Sequence, residues 1–185
     1  MLKNKLTALL LILIIIVVVA LAFLSQMESK QAKMLNTFNL ENKTIQEIVY
    51  DLESQTFDPS LSASITSKHL VLTNEDESVK IELPEDQFYV AFAPYIATTH
   101  PCTYHNLTTC QSELANQEFH VLIKEDNEVI IDEMMTSFDN GFIGVWLEKD
   151  KEFILEVTYN NLMAKTFIKT TDDSNTCITT PLQLK

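Results

Sequence analysis

The apolar positions of this chain fall into two regimes that change near residue 24. Leu6 to Leu24 is an unbroken run of nineteen uncharged residues, mostly Leu, Ile and Val, behind Lys3 and Lys5. A run that is apolar on every side of a helix does not fit the one-sided stripe of a helix on a soluble core, and its length suffices to cross a bilayer. The two lysines ahead of it place the N-terminus inside and the rest of the chain outside. The length favours an uncleaved anchor over a signal peptide, although Ala20-Leu21-Ala22 offers the small residues a peptidase would need. From Ser25 to Asn39 the chain turns polar while staying helix-compatible, as a membrane-proximal helix or linker would.

After that stretch the period shortens. Thr44-Ile45-Gln46-Glu47 has the form of a capping box, and Ile45, Ile48, Val49 and Leu52 behind it share one face of a short helix ended by Asp58-Pro59-Ser60. Strands are predicted over 61–66, 69–73 and 79–83, then over 88–95, around Phe119, Val121 and Ile123, and over 129–131, 141–147, 152–159 and 165–170. Asn74-Glu75-Asp76-Glu77, Glu125-Asp126-Asn127 and Asn160-Asn161 supply turns; with only two glycines in the chain, Asn and Asp must carry most of them. The pattern predicts an α+β protein that is mostly β. A small N-terminal α+β unit precedes an antiparallel, β-sandwich-like C-terminal domain. The boundaries expected are 1–24 for the anchor or signal peptide, 25–83 for the linker helix and N-terminal region, and 84–185 for the β-rich domain. Phe142 and Trp146 are expected in the sandwich core.

Charge narrows the partners. The chain carries −13, and without the leader's two lysines the remainder carries −15. So acidic a surface repels nucleic acid and anionic lipid. No nucleotide-binding, serine-hydrolase or zinc-protease motif occurs, and no spacing of Asp and Glu singles out an acid–base pair. Nothing here marks a catalytic centre for hydrolysis.

Sulfur and imidazole are concentrated instead. His100, Cys102, His105 and Cys110 lie within eleven residues, and the third cysteine, Cys177, sits near the C-terminus. Three thiols outside the cytoplasm leave one over from any disulfide, and such a thiol is reactive unless buried or metal-bound. A structural Cys102–Cys110 bridge with a buried Cys177 is the plain alternative; a trio of metal ligands is the sharper one. If the three meet, they suit Cu(I), a soft ion that takes two or three thiolates, whereas Cu(II) prefers imidazole and oxygen. Thiolates also reduce Cu(II) while closing to a disulfide. His100 and His105 are candidates for accessory ligands or for supporting hydrogen bonds. Zinc is the rival metal. His69 and His120 read as surface residues, and Met134, Met135 and Met163 as packing residues. The sequons at Asn42 and Asn106 are short motifs, and a glycan at Asn106 would obstruct the site.

The stretches 88–95, 100–110, 140–147 and 176–180 resemble the CueP family of bacterial copper-binding proteins of the periplasm or outer cell face, with likeness from about Thr44 onward and strongest from Phe88. The resemblance implies that Cys102, Cys110 and Cys177 bind copper in the β-rich region, and that the protein sequesters copper and reduces Cu(II) to Cu(I). It also implies delivery to a client such as a periplasmic superoxide dismutase, and a homodimer formed through the N-terminal region. The reading from another class is an extracytoplasmic thiol–disulfide oxidoreductase using Cys102 and Cys110. The long leader departs from the family and would tie the protein to the membrane.

Overall fold

A computed structural model describes the chain from Leu2 to Lys185, Thr56 and Asp76 excepted, with side chains described from Leu10 onward. One unit ends at Glu41 and a second spans Asn42–Lys185. In the first, helix α1 (Leu2–Thr37) runs without a break through the apolar segment and the polar stretch after it. Its residues Leu10–Thr37 are long and apolar enough to cross a membrane, as an export signal or anchor requires.

The second unit opens with α2 (Ile45–Ser54), capped as its sequence predicts. Thr44 Oγ1 accepts from the Glu47 amide at 3.3 Å while Glu47 Oε2 accepts from the Thr44 amide at 2.7 Å. The helix buries Ile48, Val49 and Leu52, and with them Glu53.

The strands that follow are β1 (Leu61–Ile65), β2 (His69–Asn74), β3 (Glu77–Glu82), β4 (Gln87–Phe92), β5 (His105–Asn106), β6 (Glu118–Glu125), β7 (Glu128–Thr136), β8 (Ile143–Glu148), β9 (Glu152–Tyr159), β10 (Leu162–Lys169) and β11 (Cys177–Ile178). They form three sheets, ordered β3-β2-β1-β5, β10-β9-β6-β7 and β11-β4-β8. All pairings between these strands are antiparallel except β11 on β4, where Cys177 stands opposite Ala91. The class is α+β and mostly β, as predicted.

Period-two alternation builds the core. Phe88, Val90 and Phe92 of β4 and Ile143, Val145 and Leu147 of β8 share one buried cluster with Phe119, Val121 and Ile123 of β6 and Phe153, Leu155 and Val157 of β9. Two sheets thus close on each other as a sandwich. The turns use Asn and Asp in the left-handed region, including Asp126 and the hairpin pair Asn160 and Asn161.

Three packing expectations are corrected. Trp146 alternates with Val145 and Leu147 and so faces away from the core; with Tyr89, Tyr50 and Phe138 it lines a cavity of about 570 Å³ beside α2. Gly144 shares the outward face of β8 with Trp146, and only glycine fits there because a Cβ would come within 2.6 Å of the Tyr89 ring. Met134 and Met163 do not fill the core; both project from the outer face of their sheet, and only Met135 packs inward.

Candidate metal centre

The cysteine segment reaches its place by a series of backbone ties. Before it, Glu113 accepts from the amides of Ile96, Ala97 and Thr98 at 2.9 to 3.1 Å, which holds the approach to the segment and keeps the Glu113 pKa below the ordinary carboxylate value. Within it, β5 adds to the edge of β1, pairing His105 with Ile65. Thr176, buried just before Cys177, links the parts. Its hydroxyl donates to Ile65 O at 2.6 Å and accepts from the His105 amide at 3.1 Å, and its carbonyl accepts from Ala91 at 2.9 Å. This threonine sets Cys177 beside a segment 75 residues earlier in sequence.

The three sulfurs converge. Cys102 is bonded to Cys177 with their Cα atoms 5.5 Å apart, and Cys110 is free. Cys102 Sγ lies within 4.8 Å of Cys110 Sγ and of a His100 ring nitrogen; it also lies within that distance of a His105 ring nitrogen. The partner of Cys102 is thus Cys177 and not Cys110. Cys177 is buried, whereas Cys102 and Cys110 are half-exposed. The sulfurs therefore sit at a boundary between core and solvent, where an arriving ion meets Cys102 and Cys110 before Cys177.

The two histidines differ. His100 is exposed, and its carbonyl accepts from Thr179 Oγ1 at 2.6 Å. His105 is fully buried, its ring 4.3 Å from that of Phe142. Its Nε2 donates to Glu53 at 2.9 Å, and its Nδ1 faces Cys177 Sγ at 3.7 Å. Glu53 also accepts from Asn140 Nδ2 at 2.6 Å and from the Tyr89 hydroxyl at 3.3 Å. Burial alone would lower the His105 pKa, but hydrogen bonds to Cys110 and Glu53 outweigh it and raise the value to about 9. Burial raises the Cys110 pKa, yet the His105 imidazolium and the Asn106 amide, 3.4 Å from the sulfur, bring it below the ordinary thiol value. A buried imidazolium beside a thiolate makes the pocket suited to sulfur in its anionic, metal-binding form.

Those shifts fix a pH dependence for the metal-free, disulfide-closed protein. The raised His105 pKa stabilises the fold fully below pH 6.5, and that contribution is lost as pH rises through about 9. The lowered Cys110 pKa stabilises above the thiol's ordinary value of 9.0, and that contribution is lost as pH falls through its depressed value. Between pH 6.5 and 9 the two slopes oppose each other, and they cancel over the part of that range in which Cys110 is ionised in the fold. Cys110→Ser removes both the thiolate and the largest contribution to the raised His105 value, leaving Glu53 alone to raise it. Relative to wild type, its unfolding free energy should fall with rising pH just above 6.5, over a window narrower than the wild-type histidine's, by up to about 1.4 kcal/mol per unit where wild-type Cys110 is ionised. Urea titrations at several pH values measure this, and parallel profiles for the two proteins would contradict it.

Glu53, Asn140, Tyr89 and Phe142 were not among the residues the sequence singled out for the site. The signal for Glu53 was present: it lies four residues after Val49, so a carboxylate occupies the apolar face of α2. Asn106 Nδ2 donates to Ser62 and Ser64 at 2.9 and 3.2 Å, which commits that sequon's side chain to a structural role. His69 is half-buried on β2, and His120 is on the surface.

A family model described as periplasmic copper-binding protein CueP matches residues 47–183. Among solved structures, the crystal structure of S.CueP is 40% identical and superposes with a TM-score of 0.80, covering 84% of this chain and 97% of that chain. A comparison with curated proteins gives no match. With its three cysteines inside the matched region, the chain belongs to the CueP family of periplasmic copper-binding proteins.

Proposed function

We propose that the protein holds copper as Cu(I) through the thiolates of Cys102, Cys110 and Cys177 when the Cys102–Cys177 bond is open. Closing that bond is the means by which it reduces Cu(II). The convergence of all three sulfurs around Cys102 carries this reading. Cu(I) is a soft, closed-shell ion that suits three thiolates without geometric demand. Two thiolates joining as a disulfide release two electrons, which take two Cu(II) to two Cu(I). Cys110, outside the bond, remains to hold one of them as a thiolate. An external thiol reductant then reopens the bridge, and the reopened trio binds again.

His105 and the Glu53 network support the sulfurs, and His100 stands where it can meet Cu(II) first. Copper held this way is sequestered or passed to a client cuproenzyme such as a superoxide dismutase. The apolar α1, if retained, keeps that exchange at the outer face of the membrane. X-ray absorption of the reduced, copper-loaded chain tests the centre. The expected spectrum has a Cu(I) edge and three sulfur neighbours; a nitrogen in that shell, or fewer sulfurs, would refute the trithiolate.

A second reading follows from the bond itself. A half-exposed Cys102 bridged to a buried Cys177 is the asymmetry a thiol–disulfide oxidoreductase uses, with Cys177 rather than Cys110 as the resolving thiol. Metal-free Cys177→Ser protein would then accumulate mixed disulfides through Cys102, and a clean thiol titration without them would dismiss it.

A further inference from the structure

The exposed face of the β10-β9-β6-β7 sheet carries a row that packing does not explain. Strand register sets Met163 opposite Thr158, Thr158 opposite His120, and His120 opposite Met134, so the row crosses all four strands. Phe119, Val121 and Val157, which alternate with these positions, point into the core. The row therefore faces solvent, and Met134 and Met163 are 54% and 51% exposed. The second unit contains just three methionines, and the third, Met135, packs on the core. Two thioethers thus share one solvent-facing row with one of the chain's four histidines.

The imidazole in that row is oriented as a ligand would be. His120 Nε2 donates to Asp132 Oδ1 at 2.7 Å, from the next outward position on β7. That leaves the Nδ1 lone pair free, the arrangement in which a carboxylate fixes a metal-binding histidine. Directly opposed residues have Cβ atoms about 5 Å apart. Met134 therefore reaches the His120 ring, while Met163, roughly 10 Å away across two strands, needs only its three flexible bonds to lean over the short Thr158.

We propose that Met134, His120 and Met163 form a second, weaker Cu(I) site on this face, distinct from the cysteine centre. The two thioethers select Cu(I) and the imidazole accepts it, and as neutral donors none need lose a proton to bind it. They are not consumed by disulfide formation, so the site stays available when Cys102 and Cys177 are bridged. The chain's net charge of −13 favours an arriving cation, and Asp132 stands in the adjacent row of the sheet, where Glu156 is paired with Lys165.

The test uses the full chain in detergent micelles, carrying Cys110→Ser and with the Cys102–Cys177 bond closed, so that no free thiol competes. Ag(I) serves as a probe of Cu(I) sites that does not itself change redox state here. One equivalent should shift the methyl NMR signals of Met134 and Met163 and leave Met135 unmoved. Met134→Leu, Met163→Leu and His120→Ala should each weaken Ag(I) binding at least tenfold with an unchanged urea midpoint. No binding, equal response of Met135, or a loss below tenfold in any of the three variants overturns the site. Because the cysteine centre is disabled throughout, none of these results bears on the trithiolate.

Discussion

Cu(I) affinity should fall by more than about a hundredfold in each of the variants Cys102→Ser, Cys110→Ser and Cys177→Ser, because losing a direct ligand exceeds the 10–100-fold effect of losing a supporting partner. The three variants should nevertheless separate in stability. Cys102 and Cys177 close a loop of 75 residues, and a bridge of that span contributes about 4 kcal/mol in the chain-entropy description. In oxidising buffer, Cys102→Ser and Cys177→Ser should lose an amount of that order, whereas Cys110→Ser keeps the bond. Reduced wild type should match the first two. Competition with a Cu(I) chelator and urea unfolding, each run with and without reductant, measure the pattern. A Cys110→Ser protein with wild-type affinity would remove the free thiol from the centre.

That contrast turns on a fact the spacing of the cysteines conceals. Cys102 and Cys110 are neighbours in sequence, so their pairing is the natural first expectation. Thr176 instead delivers Cys177 to Cys102 through bonds to Ile65, His105 and Ala91, contacts made between residues far apart in the chain. The sandwich strands were legible because each buries alternate residues, and the Asn and Asp turns because few glycines were available. The two-residue strands β5 and β11, which carry His105 and Cys177, were not. A pairing this short has no period to read; neighbouring elements impose it. Residues that stabilise the centre through hydrogen bonds share that difficulty. Met134 and Met163 misled for a related reason, since apolarity does not reveal which side of a sheet faces water.

Glu53, which its place on the apolar face of α2 did mark, is where the expected effect is largest after the cysteines. Its carboxylate is the shared acceptor for His105, Asn140 and Tyr89, all of them buried or nearly so. Burial and the Glu53 charge together push the Tyr89 pKa well above its ordinary value, so the phenol stays a donor. Glu53→Ala strands three donors at once and leaves the His105 imidazolium with the Cys110 thiolate as its one remaining counter-charge. Breaking a buried pair of this kind costs about 3–5 kcal/mol. Glu53→Gln preserves shape and one acceptor oxygen, so it should cost less, though its amide hydrogens meet Asn140 and His105 unfavourably. Both variants should weaken Cu(I) binding, by roughly 10–100-fold, as loss of an orienting partner does elsewhere. The histidine ring gives a readout that destabilisation alone would not move. With the Glu53 charge gone the His105 pKa falls, and the nitrogen NMR signals of His105 should report a neutral ring at a pH where the wild-type ring is charged. An unchanged protonation state would mean that Cys110, and not Glu53, holds the imidazolium in place.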